Sequence, residues 1–241
     1  MAIYTSKTRI DLEDVGYSNK ITNKAILKIL ENAGARQSET IHFGLNDMEN
    51  VGFSWILLGW KVKILKRPIY NEELTINTWG RDSNRIFTYR DYEIYDESGE
   101  LCAIATSKWA IVDINTGKLR ELTPEIIEKY QCETKKVFEE DYTLKLKEPV
   151  TIIRKQEYKA QRRDIDINKH IHNLYYLDYA YEVLPEEVYE APECNNIEIM
   201  YKKQIRLNDE FKCIYTKEEN QNIVTMKSED ENTLHAIIKL Y

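Results

Sequence analysis

The stretch "DIDINKHIHNLYYLDYAYEVLP", residues 164–185, limits the fold more than any other part of the chain. Its spacing predicts a helix from about Lys169 to Leu184. Ile171, Leu174, Tyr175 to Leu177 and Tyr179 to Tyr181, with Val183 and Leu184, then cover nearly its whole circumference. Only His172, Asn173, Asp178 and Glu182 remain as polar positions. A helix that is apolar all round has to be enclosed. The material to enclose it follows directly. "NNIEIMYKKQIRL", "EFKCIYTKE", "NIVTMKSE" and "LHAIIKLY" read as four strands, and "VTIIRKQEYKA" reads as a fifth before the helix. Consecutive strands with short turns form an antiparallel meander, and a single sheet must curl to cover such a helix.

The first half repeats this plan. "SNKITNKAILKILENAGARQSE" reads as a helix capped by Ser18 or Asn19, with Ile21, Ala25, Ile26, Ile29, Leu30 and Ala33 on one face and Gly34 at its end. Strand-like runs follow: "SWILLGWKVKIL", "ELTINTW", "RIFTYRDYEIYD" and "LCAIATSKWAIVDI". Turns are expected at Asn71, at Gly80 to Asn84, and around Gly99 and Gly117. Residues 121–149 are polar, charged and irregular, with a short helical piece after Pro124, and read as a connection. The expected organisation is therefore a first unit over 1–135, a linker over 136–149 and a second unit over 150–241. "NKITN" echoes "NKHIHN", and "ILKRPIYNEELTI" echoes "YKKQIRLNDEFKCI", as an old duplication would leave them. The fold class is α+β: a double hot-dog, two tandem antiparallel sheets each wrapped around a long helix.

Composition narrows the function classes. With 34 basic and 41 acidic residues the net charge is −7, which disfavours general nucleic-acid binding. Seventeen tyrosines against 8 glycines favour sheet over Gly-rich phosphate loops. Cys102, Cys132, Cys194 and Cys213 lie far apart with no CxxC pair and read as reduced thiols. No N-terminal signal pattern and no membrane-length apolar run is evident, so a cytoplasmic protein is expected. "GFSWI" lacks the last glycine of a nucleophile elbow, and His42, His170, His172 and His235 lack zinc-ligand spacing.

The chemistry is expected just before the enclosed helix. Asp166, Asn168 and His170 occupy alternate positions there. A helix start needs one capping acceptor, worth about 1 kcal/mol, and three functional side chains exceed that requirement.

With these residues in view, "RRDIDINKHIHNLYYLDYAYEVLP" resembles the D-x-N-x-H-x-N-N-x-x-Y segment of the fatty acyl-carrier-protein (acyl-ACP) thioesterases, a plant and bacterial family with the double hot-dog fold. Asp166, Asn168 and His170 fall on its catalytic residues, and Asn173 and Tyr176 on the second Asn and the Tyr. His172 departs from the first Asn of the pair. "GFSWILLGWKVKILKRPIYNEELTINTW" and "SKWAIVDINTGKLRELTPE" resemble two further family segments. In the family's L-E-Y-R-R-E-C element, the glutamate falls on Gln204 and the cysteine on Ile205, which argues against a thiol nucleophile there. Glutamine can orient a water or His170, but it cannot accept a proton near neutral pH.

The resemblance implies hydrolysis of fatty acyl-ACP, releasing free fatty acid and terminating fatty acid synthesis. It implies no dissociable cofactor, and a monomer or homodimer. The partner is the acyl carrier protein with its phosphopantetheine-linked chain. An acyl-coenzyme A thioesterase and a non-catalytic acyl-binding protein are the alternatives. Asp166 is expected to act as base or water-orienting group, His170 as its proton-transfer partner and Asn168 as a holder of water or carbonyl. N–H groups at the helix start are expected to form the oxyanion site. In the first half, Tyr17, Asn19 and Ile21 stand roughly where the trio stands, so one active site per chain is expected. The first half then shapes the acyl tunnel, around Trp55 to Trp60. Basic clusters occur at Lys61 to Arg67, at Arg162 and Arg163, and at Lys202, Lys203 and Arg206; the last two are expected to suit an acidic carrier.

Overall fold

The computed structural model describes residues 3–81, 84–140, 145–189 and 194–241. Asp82 and Ser83 of one expected turn, and residues 141–144 of the expected linker, lie outside the described residues. The chain divides into two compact units, one made of Met1–Leu58 and Val62–Tyr142, the other of Gly59–Lys61 and Thr143–Tyr241.

The first unit begins with strand β1 (Tyr4–Arg9), a 3-10 turn at Leu12–Asp14 and helix α1 (Asn23–Thr40). A second 3-10 turn at Leu45–Asp47 runs into α2 (Met48–Val51). Strands β2 (Phe53–Ile64), β3 (Glu73–Gly80), β4 (Thr88–Tyr95), β5 (Leu101–Asp113) and β6 (Leu119–Arg120) follow, then α3 (Pro124–Tyr130). The sheet order is β1-β3-β4-β5-β2, with β6 on β5. β1 is a strand that hydrophobic periodicity does not announce: "YTSKTR" alternates half-buried and exposed, and its pairing with β3, Tyr4 opposite Thr78, makes it extended. The short helix after Pro124 forms as expected, with Thr123 Oγ1 accepting from the Ile126 N–H at 3.4 Å.

Helix α1 lies against β3 and β1. Two expectations for it are corrected. Its cap is Thr22, whose hydroxyl accepts from the Ala25 N–H at 3.1 Å, so Ser18, Asn19 and Ile21 precede the helix. Gly34 sits inside it, not at its end. A Cβ there would stand 3.0 Å from Tyr92 Oη and 3.2 Å from Arg90 Cδ, so the glycine allows close approach of helix to sheet. Beyond Gly34 the buried face turns polar, which hides its helical period. Buried Arg90 donates to Gln37 Oε1 and, at 3.2 Å, to Thr78 Oγ1, while Ser38 shares a 2.8 Å hydrogen bond with Tyr130. Trp55 packs edge-on against Phe53 and Tyr130, with centroids 6.0 and 5.6 Å apart, in a cluster with Phe43, Ile111 and Ile126.

The second unit contains β7 (Arg154–Lys159), a 3-10 turn at Arg162–Asp164, α4 (Tyr175–Val183) and α5 (Glu186–Tyr189). Its remaining strands are β8 (Asn196–Tyr201), β9 (Glu210–Glu218), β10 (Gln221–Ser228) and β11 (Leu234–Leu240). The order β8-β11-β10-β9-β7 is antiparallel throughout. Helix α4 lies against β9, β11 and β7, with Tyr176, Leu177, Ala180 and Val183 buried. It is shorter than expected, starting at Tyr175 and not near Lys169. Strand β8 is shorter as well: it ends at Tyr201, so Gln204 and Ile205 lie beyond it.

All four cysteines are free. Burial pushes the Cys102 thiol up to about 11 and raises Cys213 as well, so neither is a ready nucleophile. Among the described residues no helix is long and apolar enough to cross a membrane, and no group of metal-ligating side chains is found.

Candidate active site

Asp166, Asn168 and His170 lie on a closed turn ahead of α4. The Asp166 N–H donates to the His170 carbonyl at 2.9 Å, and the Lys169 N–H donates to the Asp166 carbonyl at 3.0 Å. Ile165 and Ile171 pair across its base, and Lys169 takes the left-handed conformation, φ 63°, that closes it. Asp166 Oδ1 accepts from the N–H groups of Asn168, at 2.8 Å, and His170, at 3.3 Å. This is an Asx-type turn, in which a short carboxylate substitutes for backbone acceptors. Asp166 and His170 are half-buried, and Asn168 is exposed.

His172 closes the turn just ahead of α4. Its Nδ1 accepts from the Leu174 N–H at 3.3 Å, and its carbonyl accepts from Tyr175 at 2.9 Å. The N–H groups of Leu174, Tyr175 and Leu177 are engaged by His172 and Leu174.

The segment after β8 is bonded alongside the turn. The Ile171 N–H donates to the Ile205 carbonyl at 2.8 Å, and His170 pairs with Arg206 in an isolated bridge. The Tyr176 hydroxyl lies beside the Ile205 backbone, and its ring is buried edge-on against Tyr201 at 5.4 Å. Ile205 is fully buried, whereas Gln204 is exposed. The structure brings the Gln204 backbone beside the turn and leaves its side chain in solvent. Partial burial lowers the pKa of His170, against the opposing pull of Asp166 and with a smaller push from Arg206. The imidazole is thus kept neutral near pH 7, where it can accept a proton. Burial raises the Tyr176 phenol, and the charge of Asp166 adds to the effect.

Asp164, which sequence reasoning passed over, anchors the whole arrangement. It is buried and accepts from the Tyr179 hydroxyl at 2.6 Å and the Gln161 N–H at 2.8 Å. The His172 N–H donates to its carbonyl at 2.9 Å. A signal was available in the first half. There Asp14 accepts from the Asp11 N–H at 3.2 Å, its carbonyl accepts from Thr22, and Lys28 reaches its carboxylate at 2.5 Å.

The two halves carry the same turn. Gly16 N–H bonds the Lys20 carbonyl and Asn19 N–H the Gly16 carbonyl, both at 3.0 Å. Val15 and Ile21 pair across the base, Asn19 has φ 58°, and Ile21 donates to Pro68 at 2.9 Å. The register corrects the sequence match by one residue. Gly16, Ser18 and Lys20 stand where Asp166, Asn168 and His170 stand, not Tyr17, Asn19 and Ile21. The first copy thus has neither the carboxylate nor the imidazole.

Comparison with known proteins identifies the family and the fold. Residues 1–130 match the acyl-ACP thioesterase N-terminal domain, and residues 147–239 match the C-terminal domain. The oleoyl-acyl carrier protein thioesterase 2 of Arabidopsis thaliana is 24% identical over 92% of this chain, which spans 65% of that relative's length. The acyl-[acyl-carrier-protein] hydrolase FATB3 of Cuphea viscosissima is 26% identical over 63% of this chain and 38% of its own length. Among solved structures, an acyl-ACP thioesterase from Bacteroides thetaiotaomicron superposes with a TM-score of 0.86 at 23% identity, covering 99% of this chain and 97% of its own. A 12:0-ACP thioesterase from Umbellularia californica gives 0.88 at 16% identity, covering 100% and 96%. These likenesses establish the hot-dog architecture, and the two domain matches together establish the family: the chain belongs to the acyl-ACP thioesterases.

Proposed function

We propose that the protein hydrolyses the thioester of fatty acyl-ACP and releases the free fatty acid. The observation that carries this reading is the turn of the second unit. Of two structurally equivalent turns in one member of this family, only that one has an Asp, an Asn and a His at its three alternate positions. Thioester hydrolysis needs a water deprotonated as it attacks the carbonyl. Asp166 Oδ1 is fixed by two N–H groups, which leaves Oδ2 to hold the water or orient His170. The imidazole, neutral because it is partly buried, takes the proton and returns it to the leaving thiol. Asn168 holds water or carbonyl from the exposed side of the turn. Gln204 contributes at most orientation of a water, since glutamine takes up no proton at neutral pH. Residues 150–241 carry the chemistry, residues 1–135 shape the pocket for the acyl chain, and 136–149 connect them.

The test is release of free acid from a panel of acyl carriers of different chain length, with the same acyl groups on coenzyme A beside them. Faster turnover of the carrier-bound series is expected. Preference for the coenzyme A series would reassign the substrate, and tight acyl binding with no acid released from either would refute hydrolysis.

A further inference from the structure

His235 is a buried titratable group that the hydrolysis above does not use. It lies on β11, 6% exposed, and its Nδ1 stands 2.7 Å from the Lys203 carbonyl oxygen. A carbonyl oxygen only accepts, so the ring proton sits on Nδ1. Burial lowers the pKa of this ring, against the bond to Lys203 and the pull of Asp209 and with a smaller push from the Lys203 charge. The imidazole is therefore neutral near pH 7.

The carbonyl it holds belongs to the segment that flanks His170. Strand β8 ends at Tyr201, and residues 202–206 run on from it to the active-site turn. His235 engages them twice. Its carbonyl accepts from the Lys202 N–H at 2.8 Å, and its ring donates to Lys203. Further along, the Ile205 carbonyl accepts from the Ile171 N–H at 2.8 Å, and Arg206 pairs with His170. The Asp209 carboxylate takes the Arg206 N–H at 2.8 Å. Two side chains, those of His235 and Asp209, thus fix the two ends of the piece of backbone that lies against His170.

The duplicated turn serves as an internal control. Ile21 donates to Pro68 as Ile171 donates to Ile205, so Leu65 and Lys66 correspond to Lys202 and Lys203. The Leu65 N–H bonds the Cys102 carbonyl at 2.7 Å, as the Lys202 N–H bonds that of His235. Cys102 on β5 therefore stands at the His235 position. Its thiol turns back to the Glu100 carbonyl at 3.5 Å and gives Lys66 nothing that resembles the imidazole tie. Two copies of one scaffold thus differ twice at the same place. The copy with the Asp, Asn and His also has a side chain that ties the flanking segment to the sheet.

We propose that His235 is a positioning residue for the hydrolysis: its Nδ1–H holds the Lys203 carbonyl and so fixes the segment paired with His170. The assignment rests on the hydrolase reading above and adds to it one side chain that acts through backbone. A displacement of about 1 Å at a reacting group costs up to about a hundredfold in rate, so such a tie acts on kcat more than on KM.

Three full-length variants test it: His235→Asn, His235→Gln and His235→Leu. Asparagine sets its amide nitrogen where Nδ1 stands, glutamine sets its own at the Nε2 position, and leucine has no donor. Each is measured for kcat and KM on one acyl-ACP across pH 5.5 to 8.5. The titration of His170 is followed by NMR in the same proteins, whose chain has 4 histidines. The glutamine and leucine variants are expected to lose about tenfold or more in kcat, with KM within about twofold of wild type. The acid limb of their kcat profile and the His170 titration are expected to shift together. The asparagine variant is expected to keep kcat within about threefold of wild type, with both unshifted. Wild-type kcat and titration in all three would overturn the assignment. Equal losses in all three with an unmoved His170 titration would also overturn it and reduce His235 to core packing. If the leucine variant does not fold, the asparagine and glutamine pair decides. If wild-type protein hydrolyses no acyl thioester, the hydrolase reading fails, and the His170 titration still decides whether His235 sets that ring.

Discussion

Replacing Asp166 separates its two roles, because asparagine and alanine remove different things. The carboxylate Oδ1 accepts from the N–H groups of Asn168 and His170 at 2.8 and 3.3 Å. The amide oxygen of Asp166→Asn accepts the same two bonds, so the turn is expected to lose less than about 0.5 kcal/mol. Asp166→Ala removes the acceptor, but the turn is half-exposed and water substitutes, so the loss is about 1 kcal/mol, as for a helix cap. For a chain of this length that corresponds to about 2–4 °C in Tm. The chemical loss is common to both variants. Removing a water-activating group costs about 10²–10⁴ in rate, or roughly 2.7–5.4 kcal/mol at 1.36 kcal/mol per decade. Thermal melting and steady-state hydrolysis of one acyl thioester are measured on both proteins. Both are expected to lose at least a hundredfold in kcat/KM, and only the alanine variant is expected to melt measurably lower. An asparagine variant within threefold of wild-type activity would reduce Asp166 to a turn former and remove it from the mechanism.

Tyr176→Phe keeps the ring against Tyr201 but removes a buried hydroxyl beside the Ile205 backbone. It is expected to lose about 1–2 kcal/mol of stability and to lower kcat and shift its pH profile more than KM, because the segment beside His170 loosens; an unchanged pH profile would limit the hydroxyl to packing. Asp164→Ala strips acceptors from Tyr179 and Gln161 in a buried site, and urea denaturation is expected to show a loss of about 2–4 kcal/mol. A loss below about 0.5 kcal/mol would contradict the anchoring role. Burial holds both His170 and His235 below the ordinary histidine value of 6.5. Between that value and their folded values the unfolded chain binds more protons, so stability is full above pH 6.5 and falls as the pH drops through the folded values. Melting temperatures from pH 7.5 to 5.5 are expected to decline, and less steeply for His170→Gln; a flat profile would contradict the burial argument.

Most of the fold could be read from the chain because it rests on local pattern. Apolar residues on every side of 171–184 demanded an enclosing sheet, and the runs that became β2 to β5 and β8 to β11 carry enough branched and aromatic residues to announce themselves. The trio was legible because three functional side chains exceeded what a helix start requires. Other features depend on groups distant in sequence and left no periodic trace. "YTSKTR" is extended only because β3 pairs with it. Helix α1 passes Gly34 because Arg90 on β4 and Tyr130 at the end of α3 meet its polar residues Gln37 and Ser38.

The amino-acid sequence by itself determined the two-fold plan, the enclosed helices and the identity of the candidate side chains, since composition and period act over a few residues. Tertiary structure decided where those side chains stand. It placed Asp166, Asn168 and His170 on a closed turn and not on a helix, used His172 to close the turn ahead of α4, buried Ile205 and left Gln204 outside. The physical reason is that buried N–H and C=O groups must find partners. Those of residues 164–172 found theirs partly in the turn itself and partly in the segment some 35 residues further on, a choice that no local pattern records.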